Sequence, residues 1–153
     1  MPRGSVPSSA VRVEPRLDAF VSHATEDAGI TDLLVGRLQS NGVTLWYDRN
    51  QDETGIMLGG NTIEQINAGL RACRCGIIVV SKVYLSKNFT MLEFRALVYR
   101  ATREEERKIL FVLVDLSVDE FADLQPLVAP YRSLHMSEGV DGVVKAIEAF
   151  LST

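Results

Sequence analysis

Apolar runs of strand length alternate along this chain with segments in which apolar residues recur at helical spacing. The strand candidates are residues 17–22, 43–47, 76–81 and 109–114, with a weaker fifth at 133–136. Their nearly continuous Val, Ile and Leu content is typical of strands that are buried on both faces of a parallel sheet. The pattern therefore predicts an α/β fold, a flavodoxin-like doubly wound sheet of about five parallel strands with helices on both faces.

Four segments have the period of an amphipathic helix. Thr25 is the expected N-cap of the first helix, and Glu26 and Asp27 are favourably placed at the positive end of its dipole. The third helix is expected at about 88–103 and the last at about 140–151. The apolar stripes of the four helices are, in order, Ile30, Leu33, Leu34 and Leu38; Ile63, Ile66 and Leu70; Leu92, Ala96 and Tyr99; and Val143, Val144, Ile147 and Leu151.

Length and charge narrow the function classes. The chain has 153 residues, of which 46% are hydrophobic and 24% charged, as expected for one globular domain. A net charge of -4 gives no electrostatic reason to expect a nucleic acid or an anionic membrane as partner. Residues 1–15 are interpreted as a flexible leader whose Pro-Arg-Gly-Ser start resembles an expression scar, and 16–153 as the domain.

The cysteines and the hydropathy pattern indicate a soluble, cytoplasmic protein. Cys73 and Cys75 lie one residue apart, which suits neither a disulfide framework nor a zinc site, so buried thiols and no metal site are expected. Trp46 is also expected in the core. No stretch approaches the ~18 apolar residues of a membrane span.

In doubly wound sheets, ligands bind beyond the carboxyl ends of the strands, where the strand order reverses. Ser22 and His23 follow the first predicted strand, Asp48 follows the second and Ser81 ends the third. The turn 22–27 lacks the G-x-G-x-x-G fingerprint, and neither a Walker A loop nor a G-x-S-x-G elbow is present. A phosphoacceptor domain would need Asp where Ser81 stands.

An aromatic ring and a carboxylate follow the third predicted strand. Phe89 and Glu93 are four residues apart, which places them on one helix face. One carboxylate is too few for ordinary glycoside hydrolysis, which also needs an acid for the departing oxygen. In NAD+ the nicotinamide leaves as a neutral molecule, so a single carboxylate that stabilises the ribosyl cation can serve.

Three stretches together resemble the Toll/interleukin receptor (TIR) domains, in particular bacterial ones. They are Asp18-Ala19-Phe20-Val21-Ser22-His23-Ala24-Thr25-Glu26-Asp27, Leu45-Trp46-Tyr47-Asp48, and Ser81-Lys82-Val83-Tyr84-Leu85 leading to Phe89 and Glu93. The resemblance covers about 17–151 and implies the TIR fold. It also implies cleavage of NAD+ to nicotinamide and ADP-ribose or a cyclic isomer, in bacterial antiviral defence signalling.

By this resemblance Glu93 is the catalytic residue and Phe89, commonly Trp in the family, stacks on nicotinamide. His23, Ala24 and Asp48 match positions that line the nicotinamide-ribose pocket, and the strand-end residues Ser22 and Ser81 complete the expected substrate site. NAD+ is the substrate and no cofactor is expected. Self-association with other TIR domains is expected through the loop 48–60, where Leu58-Gly59-Gly60 replaces the family's Pro-Gly-Asp.

Structural roles remain open for the same residues. Glu93 could be a solvated residue of a first helical turn, Phe89 a core residue, and His23 a packing residue. Asp48 could be a turn residue at the end of a strand, and Ser22 could bond local backbone amides. For the whole chain, the alternative to an NAD+ nucleosidase is a non-catalytic TIR interaction or adaptor module, and a more distant alternative is a nucleoside-processing transferase.

Overall fold

The computed structural model describes residues 17–47, 72–88, 108–126 and 131–152. Within them, one sheet of five parallel strands has the order β2-β1-β3-β4-β5, with β1 Leu17–Ser22, β2 Leu45–Trp46, β3 Cys73–Val80, β4 Lys108–Leu113 and β5 Arg132–His135. The helices are α1 Ala28–Ser40, α2 Lys82–Asn88, α3 Val118–Leu124 and α4 Val140–Leu151, with 3-10 turns at Thr25–Asp27 and Met136–Glu138. The predicted flavodoxin-like α/β class is confirmed.

An apolar cluster covers each face of the sheet, because successive side chains of a strand point to opposite faces. On one face, strand residues pack with Tyr84 of α2 and Phe121 of α3. On the other, they pack with residues of α1 and α4, which are Leu34, Val35, Leu38, Val143, Val144 and Ile147. Arg37 of α1 forms an ion pair with Asp141 of α4, and Asn41, which follows α1, donates a hydrogen bond to Glu148 of α4.

The structure contains all five predicted strands, but their lengths differ from the prediction. β3 begins at Cys73 rather than at Gly76, because Cys73 and Cys75 already pair with Leu17 and Ala19 of β1. Both cysteines are buried free thiols, as predicted. β2 is only two residues long and lies at the edge of the sheet, so the observed strand is shorter than the predicted strand 43–47.

Three side-chain predictions are wrong. Thr25 does not cap α1, since it begins a 3-10 turn and α1 starts only at Ala28, after Asp27. Leu33 was expected in the apolar stripe of α1 but is 56% exposed. Trp46 was expected in the core but is 38% exposed, because it belongs to the short edge strand.

The predicted helix at 140–151 is confirmed, whereas α2 and α3 were not predicted as separate helices. The sequence carries a signal for α3, the capping box in which Ser117 and Glu120 exchange side-chain-to-backbone hydrogen bonds of 3.0 and 2.8 Å. The backbone N–H of Ser117 is the main cause that lowers the pKa of Glu120. The predicted helix around Ile63 and all but the start of that at 88–103 lie outside the described residues.

Gly76 permits close contact between β1 and β3. Gly76 pairs with Phe20, and a Cβ atom at Gly76 would lie 2.6 Å from two carbons of the Phe20 ring. Carbon atoms normally pack at 3.5 to 4.0 Å, roughly, so no side chain fits there without movement of the ring. The missing side chain of Gly76 therefore leaves the space that the Phe20 ring occupies.

A hydrogen-bonded group around Asp18 ties together the amino ends of the central strands. The Asp18 carboxylate accepts hydrogen bonds from the Thr44 backbone N–H at 2.9 Å and from Arg74 of β3 at 3.1 Å. Arg74 also donates to the Leu151 carbonyl oxygen at 3.0 Å. The hydrogen bond from the Thr44 N–H is the main cause that holds the pKa of Asp18 below its usual value, and Arg74 lowers that pKa further.

We predict that Gly76→Ala destabilises the domain by about 1–3 kcal/mol, since the added methyl group overpacks against Phe20. The matched control is Gly36→Ala in α1, where a Cβ atom would meet no other atom within 4 Å. That change should stabilise the helix by roughly 0.5–1 kcal/mol. Urea unfolding measures both free energies. Equal effects of the two substitutions would show that the ring moves aside freely.

We predict a pH dependence of stability that Asp18→Asn reduces. The pKa of Asp18 is lower in the folded chain than in the unfolded chain, so its contribution is present above the unfolded value of about 4. The contribution is lost as the pH falls through the folded pKa. Urea unfolding between about pH 5 and pH 3 should show a smaller loss of stability in Asp18→Asn than in the wild type. Parallel curves for both proteins would contradict this assignment.

Candidate functional site

The carboxyl ends of β1 and β3 form the point at which the strand order reverses. From β1 the chain crosses to β2 on one side, and β3 lies on the other side of β1, followed by β4 and β5. Ser22 of β1 pairs with Ile78 of β3, so the chain leaves both strands at the carboxyl edge of the sheet, the side formed by the carboxyl ends of its strands. This edge is the crevice in which sheets of this kind bind ligands.

Ser22 and Tyr84 make a buried hydrogen bond beneath this edge. The Ser22 Oγ and Tyr84 hydroxyl oxygen atoms lie 2.8 Å apart, and either can donate. Ser22 is 7% exposed and Tyr84 is fully buried. Burial raises the pKa of the Tyr84 phenol, partly offset by the bond to Ser22, so Tyr84 keeps its proton. The bond joins the end of β1 to α2.

Ser81 and Asp27 make a second link across the same edge. The Ser81 hydroxyl donates to Asp27 Oδ2 at 2.6 Å and accepts the Tyr84 backbone N–H at 3.0 Å. Ser81 is 1% exposed. The Asp27 carboxylate therefore binds Ser81 at the end of β3 and does not cap α1, the helix that Asp27 precedes.

His23 and Ala24 lie between these two links and are buried, with exposed fractions of 4% and 1%. The His23 ring packs against Tyr47, with ring centroids 5.2 Å apart and planes tilted by 43°. The Tyr47 hydroxyl donates a hydrogen bond to Asp32 of α1. Tyr47 thus connects the imidazole of His23 to α1 and leads directly to Asp48 in the sequence.

The start of α2 is also fixed from the side of β4. The Lys82 backbone N–H donates to the Asp115 carboxylate at 2.9 Å, and Asp115 follows the end of β4. In the first turn of α2, the Lys82 N–H thus donates to the Asp115 carboxylate and the Tyr84 N–H donates to the Ser81 hydroxyl. The start of α2 is therefore held by the end of β3 and by the segment that follows β4.

Four of the seven residues predicted for the site lie together at this edge, and they are Ser22, His23, Ala24 and Ser81. Both serine hydroxyls are engaged with neighbouring protein groups, Tyr84 and Asp27. The other three predicted residues, Asp48, Phe89 and Glu93, lie outside the described residues.

Sequence reasoning missed Tyr84 and Tyr47, and it considered Asp27 only for its charge near a helix end. A signal for Tyr84 exists in the sequence, since Ser81 and Tyr84 have the spacing of an N-cap residue and its N3 position. Nothing in the sequence pairs Asp27 with Ser81 or Tyr47 with Asp32, because those contacts join segments far apart along the chain.

The fold is a five-stranded, doubly wound α/β domain whose strand order reverses at the carboxyl ends of β1 and β3, where such domains bind ligands. The TIR domain family matches residues 19–146. The chain belongs to the TIR domain family, as the motifs in its sequence predict.

Two relatives are similar to this chain over most of its length. The chain is 32% identical over 121 residues to the NAD(+) hydrolase TcpC of Escherichia coli O6:H1, covering 78% of this chain and 38% of that protein. It is 31% identical over 125 residues to the 2' cyclic ADP-D-ribose synthase AbTIR of Acinetobacter baumannii, covering 81% of this chain and 45% of that protein. The chain thus spans less than half the length of these relatives.

The fold also matches solved TIR domains. The TIR domains of the activated Roq1 resistosome, which recognises the pathogen effector XopQ, superpose with a TM-score of 0.61 at 15% identity. The match covers 86% of this chain and 99% of that one. At this level of identity the likeness concerns the fold alone.

Two kinds of feature are absent from the described ranges. Among residues 17–47, 72–88, 108–126 and 131–152, no helix is both long and apolar enough to cross a membrane. Across those same ranges, no three His, Cys, Asp or Glu side chains are grouped so that they could hold a metal ion.

We predict that Tyr47 and Asp32 stabilise the domain together. Tyr47→Phe removes the hydroxyl that donates to Asp32 and should cost about 1–2 kcal/mol, since the acceptor is a carboxylate. In an Asp32→Ala background the same change should cost roughly 1 kcal/mol less. Urea unfolding of the four proteins gives the coupling energy.

The control pair is Tyr131→Phe with Asp32→Ala, because Tyr131 precedes β5 at the opposite edge of the sheet from β2. Its effects should add within about 0.5 kcal/mol. A Tyr47–Asp32 pair that is equally additive would show that this hydrogen bond contributes nothing.

Proposed function

We propose that this domain cleaves the nicotinamide-ribose bond of NAD+, giving nicotinamide and ADP-ribose or a cyclic isomer of ADP-ribose. The observation that carries the proposal is the similarity, at 32% and 31% identity, to two proteins named for those two outcomes. The described crevice supports it, because Ser22, His23, Ala24 and Ser81 meet where sheets of this kind bind ligands.

In the proposed reaction, Glu93 is the catalytic residue. As the bond to nicotinamide breaks, the pyridinium takes both bonding electrons and leaves as neutral nicotinamide, so no acid is needed for it. Positive charge develops on the ribose, and the Glu93 carboxylate stabilises that charge. Phe89 stacks on the nicotinamide ring, and His23, Ala24 and Asp48 line the pocket. The chemistry uses no resident cofactor or metal ion.

The acceptor at the ribose carbon decides the product. If water attacks, the product is ADP-ribose; if a nucleophile within the substrate attacks, a cyclic isomer forms. We propose no preference between the two, since relatives with both names have nearly equal identity.

We further propose that the domain works in the cytoplasm in bacterial antiviral defence signalling.

We also propose that self-association completes the site, through the loop 48–60. Tyr47 packs against His23 of the proposed site and leads directly into this loop in the sequence. Specific activity should therefore rise with protein concentration, because a larger share of the chains is then assembled.

The testing experiment measures nicotinamide release from NAD+ by chromatography at several protein concentrations, with the ADP-ribose products followed in the same runs. We predict that Glu93→Gln lowers the rate by about 100-fold or more, since it keeps the shape of the side chain but removes the charge. The matched control is Glu138→Gln in the 3-10 turn before α4, which should leave the rate unchanged.

Equal rates in Glu93→Gln and the wild type would remove Glu93 from the reaction. No nicotinamide release at any concentration, with assembly shown by light scattering, would instead favour the non-catalytic TIR interaction module. The co-product separates hydrolysis from cyclisation in the active wild type.

A further inference from the structure

The turn 22–27, which carries His23 and Ala24, is attached at both of its ends to one short stretch of chain. At its start, Ser22 bonds to the Tyr84 hydroxyl at 2.8 Å. At its end, Asp27 accepts the Ser81 hydroxyl at 2.6 Å. The two partners, Ser81 and Tyr84, are themselves joined by the 3.0 Å bond from the Tyr84 N–H to the Ser81 hydroxyl.

Burial makes the Ser22–Tyr84 attachment difficult to replace by water, and the Ser81–Asp27 attachment is partly buried. Tyr84 is fully buried, Ser81 is 1% exposed and Ser22 is 7% exposed. A buried hydroxyl that loses its partner keeps the full cost of its desolvation. The elevated pKa of Tyr84 also keeps its hydroxyl protonated and able to bond with Ser22. Each attachment therefore holds one geometry.

Local hydrogen bonds also support the second half of the turn. The Asp27 backbone N–H donates to the Ala24 carbonyl oxygen at 2.9 Å, which closes the 3-10 turn. The Thr31 hydroxyl donates to the Asp27 carbonyl oxygen at 2.7 Å, which joins the turn to α1. His23 and Ala24 therefore follow the two ends of the turn and do not move independently of them.

We infer that Tyr84 and Asp27 are positioning residues that hold His23 and Ala24 in the geometry that binds the nicotinamide-ribose part of NAD+. This inference rests on the proposed function. Neither residue needs to touch the substrate, since both act through the turn. A shifted turn weakens substrate binding in the ground state and the transition state alike, which raises KM and leaves kcat nearly unchanged.

The experiment compares Tyr84→Phe and Asp27→Asn with two matched controls. Tyr84→Phe removes one oxygen atom and keeps the packing of the ring, and Asp27→Asn keeps an acceptor oxygen but removes the charge. The controls are Tyr131→Phe, beside β5, and Asp18→Asn, a hydrogen-bonded carboxylate at the opposite end of β1. Asp18→Asn lowers stability without touching the turn, so it separates destabilisation from positioning.

The first readout is the position of the turn, measured without substrate by NMR. The His23 ring and the His23 and Ala24 amide resonances should shift in Tyr84→Phe and Asp27→Asn and stay in place in both controls. The second readout is steady-state nicotinamide release. KM for NAD+ should rise about ten-fold in the two test variants, with kcat within about three-fold of the wild type.

Unshifted resonances in the test variants would overturn the inference, and so would shifted resonances with an unchanged KM. An equal rise of KM in Asp18→Asn would also overturn it, because the effect would then follow from stability alone. A wild type that releases no nicotinamide overturns the proposed function instead, while the resonances still show whether Tyr84 and Asp27 hold the turn.

Discussion

The parallel pairing of β1 with β3 is the interaction on which the described structure depends. It places residues of β1 beside residues 56 positions later, as in the pair Leu17 and Cys73, and brings Ser22 and Ser81 to the same end of the sheet. In this pairing the Phe20 ring occupies the space that a side chain of Gly76 would fill. The packing of the core and the position of the crevice thus depend on the same strand pairing.

Much of this architecture follows from the sequence, because long apolar runs and helical stripes are local patterns. The strands β1, β3 and β4 and the helix α4 are predicted to within a few residues. The errors occur where burial depends on the neighbours of a segment. Trp46 is apolar but belongs to a two-residue edge strand. Leu33 is apolar but lies outside the face of α1 that packs against the sheet and α4.

The candidate site shows the same limit more clearly. A rule about strand ends is enough to find Ser22, His23 and Ser81 in the sequence, since it depends only on where strands stop. The partners of these residues depend on tertiary contacts. Asp27 was expected to favour its own helix through its charge, yet its carboxylate is used by Ser81. Tyr84, in a helix that the sequence did not predict, forms the buried hydrogen bond with Ser22.

One consequence concerns how the domain can be joined to other parts of a protein. A single guanidinium, that of Arg74, contacts both Asp18 near the first described residue and the Leu151 carbonyl near the last. The described chain therefore starts and finishes on the same side, at the amino ends of the strands, and the crevice opens on the opposite side. A fluorescent label attached at Leu17 or Ser152 would therefore start from the side of the sheet opposite the carboxyl ends of β1 and β3.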